Sequence, residues 1–149
     1  MEMLYFKTAG ESHGKCLIAM VEGVPAGLCI DEAVINKELK RRQGGLGRGG
    51  RMQIEEDRVE ILSGIRKKTT LGRPICLMIK NRDFKIDELP SVTKPRPGHA
   101  DLTALQKFGG FNDPRGGGHF SGRLTVALVT AGVIAKKLIA PAKVNAELI

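Results

Sequence analysis

The residues able to do chemistry gather in glycine-flanked turns. His13 stands in Gly-Glu-Ser-His-Gly, His99 in Arg-Pro-Gly-His-Ala-Asp, and His119 in Gly-Gly-Gly-His-Phe-Ser-Gly-Arg. Histidine titrates near neutrality and is the usual general acid at physiological pH. One such residue alone is commonly a turn residue with a satisfied ring. Three of three in glycine turns point towards a site. No helical His-x-x-x-His or similar spacing is present, so no metal site is read here.

A second constellation is Lys40-Arg41-Arg42-Gln43-Gly44-Gly45-Leu46-Gly47-Arg48-Gly49-Gly50-Arg51, with five cations in twelve residues. Guanidinium forks match phosphate and carboxylate oxygens bidentately. Arg42 and Arg48, six apart across a glycine turn, could clamp one anion from two sides. The spacing also fits a solvated basic loop. Arg-Gly-Gly-Arg at 48–51 resembles a fragment of an RNA-binding glycine-arginine segment. Only one copy occurs, and five Phe, one Tyr and no Trp leave little for base stacking. No nucleic-acid partner is therefore expected. Gly116-Gly117-Gly118 precedes Ser121 and an apolar segment, a pattern that presents helix N-terminal amides to an anion. It equally fits a tight turn with an N-cap.

Composition agrees with an anionic partner. The net charge is +8, and the 19 glycines in 149 residues are nearly twice the usual ~7%. Cys16, Cys29 and Cys76 are scattered and odd in number, which fits a reducing cytoplasm and not a disulfide framework. Residues 1–10 lack the basic and apolar regions of a signal peptide. The longest apolar stretch, 124–135, is too short to span a bilayer. A cytoplasmic location with no membrane partner is expected.

These residues need elements to position them. Residues 3–8 and 16–22 read as strands flanking the His13 turn. Asp31 is a candidate N-cap for a helix that buries Ile35 and Leu39 and ends at Arg42. Residues 59–62 and 75–79 read as strands, and 82–97 as irregular. The segment 124–139 is apolar nearly all round, which predicts a helix covered on more than one side, with Ser121 before it as N-cap. No repeat or linker divides the chain. The order of elements predicts one α+β domain over residues 1–149.

In sequence order the motifs resemble one family, the chorismate synthases. They are Gly10-Glu11-Ser12-His13-Gly14, Glu22-Gly23-Val24-Pro25-Ala26-Gly27, Arg41-Arg42-Gln43 through Gly47-Arg48, and Glu60-Ile61-Leu62-Ser63-Gly64. Thr70-x-Gly72-x-Pro74-Ile75, Arg96-Pro97-Gly98-His99-Ala100-Asp101, Asp113-x-Arg115-Gly116-Gly117-Gly118 and Ser121-Gly122-Arg123 follow. The resemblance implies a lyase late in the shikimate pathway of aromatic amino acid biosynthesis. Its substrate would be 5-enolpyruvylshikimate 3-phosphate and its cofactor reduced FMN. It implies a homotetramer of α+β sandwiches, with antiparallel sheets around central buried helices. Two sources of reduced flavin stay open: external supply, or an NADPH-dependent flavin reductase activity of the protein itself.

By motif, Arg42 and Arg48 are expected to bind substrate, with Ser12 and Arg123 as further candidates. His13 and His99 match the family's acid–base histidines. His119, Phe120 and Ser121 match its short flavin-contacting segment, where Arg-Ser-Ser is commoner, so His119 and Phe120 are expected to serve through their backbone. Family members run to well over twice 149 residues. The resemblance thus implies a partial, N-terminal version of the fold, lacking further flavin contacts, a catalytic aspartate and some of the cover on the apolar helix.

Overall fold

The computed structural model describes residues 3–44, 55–84 and 94–147. Among the described residues, seven strands form two antiparallel sheets. The larger has the order β1-β2-β7-β4, from Tyr5–Ala9 (β1), Cys16–Glu22 (β2), Ile75–Lys80 (β7) and Val59–Ser63 (β4). The smaller has the order β3-β6-β5, from Ala26–Cys29 (β3), Thr69–Leu71 (β6) and Ile65–Arg66 (β5). Among the described residues the helices are α1 (Glu32–Gln43), α2 (Asp101–Phe108) and α3 (Thr125–Leu138), with 3₁₀ turns at Arg115–Phe120 and Gly122–Leu124.

The core follows from period-two and helical patterning. Leu17, Ala19 and Val21 of β2 alternate inward, and Ile75, Leu77 and Ile79 of β7 do the same in register with them. Ile35 and Leu39, one turn apart on α1, are fully buried with Val126 and Ile134 of α3. Each such aliphatic side chain contributes ~1.5–3 kcal/mol by leaving water. The Asp31 N-cap forms as expected, its Oδ1 accepting from the Ala33 N–H at 3.1 Å.

Three features depart from the expectations. The strands β3, β5 and β6 were not anticipated, because the β5–β6 turn uses Lys67 (φ 48°) and Lys68 (φ 63°) in place of the usual Asn-Gly. Neither was α2, which buries only Ala104 and exposes Leu102, Leu105 and Phe108. The apolar segment at 124–139 starts its α-helix at Thr125, after a 3₁₀ turn that Ser121 caps through Oγ to the Arg123 N–H at 3.2 Å. It is covered from two sides, by α1 and by the larger sheet, as expected: Val126, Thr130 and Ile134 are buried, although Leu128 stays 46% exposed.

Candidate active site

The turn at residues 10–14 leads from β1 into β2 and carries Ser12 and His13. It is fastened from the end of β7. Asn81, itself buried, donates from Nδ2 to the carbonyls of Glu11 (3.4 Å), Ser12 (3.2 Å) and Gly14 (2.7 Å). Its Oδ1 accepts from Arg123 Nε at 2.9 Å. Arg123 is buried and paired with Asp57, with Glu55 3.5 Å from its other terminal nitrogen. The same Asp57 lies 3.5 Å from Arg42. Two buried carboxylates thus face two guanidiniums, which is what keeps ionised groups tolerable inside a fold.

His13 is set by the bend after Asn81. Its Nδ1 lies 3.2 Å from the Asp83 carbonyl and 3.7 Å from the Asp83 carboxylate. Its Nε2 lies against Gly116, where a Cβ would come within 2.5 Å of that nitrogen. Only a glycine lets the 116–118 backbone run so close. Gly118 is held as tightly: its φ is +51°, and a Cβ there would collide with the Asp113 carbonyl. Ser12 closes the contact, donating its N–H to the Gly118 carbonyl and its hydroxyl to Ser121 Oγ, both at 3.1 Å.

Between this layer and the turn before α2 lies a cavity of about 260 Å³, lined by Arg96, His99, Gly116, Gly117, Phe120 and Ser121 among others. Arg96 forks onto Asp101, with Nε to Oδ2 at 2.7 Å and Nη2 to Oδ1 at 2.9 Å. These bonds hold the Asp101 carboxyl far below the usual carboxylate range. A second fork joins Arg115 to Asp113 at 2.7 Å through each oxygen and lowers the Asp113 carboxyl likewise. Glu11 behaves oppositely. Burial pushes its carboxyl up, Asp113 adds to this, and His119 and Arg115 oppose it. Its Oε2 has no hydrogen-bond partner among the described residues.

The expected site residues are therefore mostly brought together. His99, Phe120 and Ser121 line one cavity, with His13 behind its Gly116 wall. His119 turns away: its Nδ1 is 3.4 Å from the Gly10 carbonyl, and its ring lines a separate hollow with Glu11, Phe108 and Phe111. Arg42 reaches the Gly122 carbonyl (3.0 Å) and Thr125 Oγ1 (2.9 Å), beside Ser121. Arg48 lies outside the described residues. Arg123, a substrate candidate by motif, is buried and spends its guanidinium on Asn81 and Asp57. Asn81, Glu55, Asp57 and Asp83 were missed from sequence. The one available signal was a polar Asn-Arg-Asp run directly after an inward-alternating strand.

Among the described residues no group of three or more His, Cys, Asp or Glu side chains could hold a metal ion, and no helix is long and apolar enough to cross a membrane. The family model for chorismate synthase matches residues 4–148. A curated chorismate synthase of Thermoanaerobacter pseudethanolicus is 54% identical over 135 residues, covering 89% of this chain and 39% of its own length. That of Chlorobium phaeobacteroides is 50% identical over 147 residues, covering 90% and 37%. A crystal structure of chorismate synthase superposes with a TM-score of 0.70 at 40% identity, over 94% of this chain and 34% of that one. The chain spans about two-fifths of the length of the curated relatives it matches. With the motif turns converging on one cavity, these likenesses place the chain in the chorismate synthase family.

Proposed function

We propose that this chain serves the family reaction, conversion of 5-enolpyruvylshikimate 3-phosphate to chorismate and phosphate. In this 1,4-elimination the C–O bond to phosphate and a ring C–H bond break, a ring double bond forms, and nothing is oxidised overall. The observation that carries the reading is the meeting of the His13, His99 and Ser121 turns at one cavity beside Arg96.

The substrate carries two carboxylates and a phosphate of about −1.5 to −2 charge, and the chain is +8 overall. Arg42 and Arg48 bind its anionic groups, Arg42 from the end of α1 beside Gly122. His13 and His99 are the acid–base pair, one of them passing a proton to the departing phosphate. Ser121, with the backbone of His119 and Phe120, supports reduced FMN. The residues fit such a group: Gly117, at a φ of +85° that favours glycine, and Gly116 present backbone without side chains to the cavity beside Arg96 and Ser121, a surface a flat ring can lie against. Reduced FMN, when bound there, would supply transient electron density to the substrate ring. A cytoplasmic homotetramer, with NADPH as a candidate reductant of the flavin, completes the reading.

The test is anaerobic incubation with 5-enolpyruvylshikimate 3-phosphate and chemically reduced FMN, with chorismate and phosphate quantified. Equimolar release of both supports the reading. Absence of turnover together with absence of substrate binding by titration contradicts it.

A further inference from the structure

The bend after β7 bears on His13 in a way that the motifs do not announce. Glu55 is buried, its side chain fully so, yet it sits outside every motif quoted above. Its carboxylate accepts two successive backbone N–H groups, Arg82 at 2.9 Å through Oε2 and Asp83 at 3.3 Å through Oε1. Its own carbonyl accepts from Gln43 Nε2 at 2.8 Å, which ties it to the end of α1. A carboxylate gripping consecutive amides fixes the peptide plane that follows. That plane bears the Asp83 carbonyl, the group 3.2 Å from His13 Nδ1.

Resting on the acid–base role given to His13 above, we propose that Glu55 is a positioning residue for it. By fixing the bend at 82–83, it aims the Asp83 carbonyl at Nδ1. The imidazole is thereby held with its proton on Nδ1, so that Nε2, at the Gly116 wall of the cavity, carries none. A carbonyl can only accept, so a neutral ring facing it must donate from Nδ1. The Asp83 carboxylate also lies 3.7 Å from Nδ1, on the same side of the ring as the carbonyl. Glu55 also faces Arg123 at 3.5 Å, so a purely charge-balancing role is the rival account.

Nitrogen NMR separates the two without reference to turnover. The chain, labelled with ¹⁵N-histidine, is examined by long-range proton–nitrogen correlation near pH 8, where an ordinary imidazole (pKa ~6.5) is neutral. His13, assigned by its loss in His13→Asn, should show the Nδ1–H pattern. Glu55→Gln and Glu55→Asp should both lose that pattern while the His99 signals stay. The Asp variant retains the charge facing Arg123 but shortens the reach to the two amides. Asp57→Asn, which strips the other carboxylate from Arg123 and touches neither amide, should leave His13 as it is. Three results would overturn the proposal: wild-type His13 carrying its proton on Nε2, Glu55→Asp retaining the Nδ1–H pattern, or Asp57→Asn disturbing it as much as Glu55→Gln. Because the readout is a tautomer, it stands or falls separately from chorismate formation.

Discussion

The two motif histidines stand on turns of opposite construction. The His13 turn is gripped by residues far along the chain: Asn81, Asp83 and Ser121, the last 109 residues from its partner Ser12. The His99 turn is held by near neighbours. Its Nδ1 meets the Pro97 carbonyl at 3.1 Å, its N–H the Arg96 carbonyl at 3.3 Å, and Arg96 forks onto Asp101 five residues on. His13 has a side chain only 12% exposed, whereas His99 is exposed. A ring locked by tertiary contacts keeps one orientation before ligand arrives. A ring on a self-contained turn can settle against what arrives. The pairing suggests a division of labour, with His13 preset and His99 adjusting.

The largest expected effect would break this comparison at the chemistry. His13→Ala should slow chorismate release by ~10²–10⁴-fold, the usual share of a general acid–base group. Near-normal turnover would remove His13 from its role.

Next in size is the fastening. Asn81→Leu leaves three turn carbonyls without their side-chain donor and strips Arg123 Nε of its acceptor. Stranded buried groups cost ~1–3 kcal/mol each, and the Ser12 carbonyl and Arg123 Nε contacts are the two fully buried ones, so urea unfolding should show a loss of roughly 2–6 kcal/mol. Asp101→Asn, at the half-exposed fork of the His99 turn, keeps an acceptor for Arg96 and should lower the urea midpoint clearly less than Asn81→Leu. Equal losses from both would erase the contrast between the turns.

Gly116→Ala tests how closely the two layers approach. It places a Cβ 2.5 Å from His13 Nε2 at a φ of +56°. Strain of this kind costs about 1–3 kcal/mol, and the His13 resonances should move while those of His99 stay.

The smallest effect concerns pH. Burial raises the Glu11 carboxyl, so ionising it costs the native state stability above that raised value. Glu11→Gln should therefore raise the urea midpoint at neutral pH. The gain should vanish below the ordinary glutamate range near ~4.3, where both states are protonated. Asp113, lowered by Arg115, has the opposite sign: its stabilisation is present above the ordinary aspartate range and is lost as pH falls through its depressed native value. A Glu11→Gln gain that persists in acid would show that packing, and not ionisation, is responsible.

How far the sequence carried this account depended on the range of the interactions. Alternation placed β2 and β7, and a four-residue spacing with an Asp cap placed α1, because those signals are local. The glycine motifs marked the turns for the same reason. What stayed hidden was long-range. Nothing near Asn81 tells that its amide spans three carbonyls some 70 residues away, and nothing beside Glu55 and Asp57 in the sequence marks them as buried. The β5–β6 hairpin was illegible because Lys67-Lys68 carries no left-handed signature. The all-apolar character of α3 predicted cover on more than one side, and α1 and the larger sheet supply it, leaving Leu128 as an exposed exception.

The most direct measurement is a titration of the ¹⁵N-labelled chain with 5-enolpyruvylshikimate 3-phosphate, followed amide by amide. The account predicts that His13, His99, Gly116, Gly117 and Ser121 shift together, with one common saturation curve. Shifts confined to the basic hairpin at 66–73, or no saturable shift at the three motif turns, would contradict it.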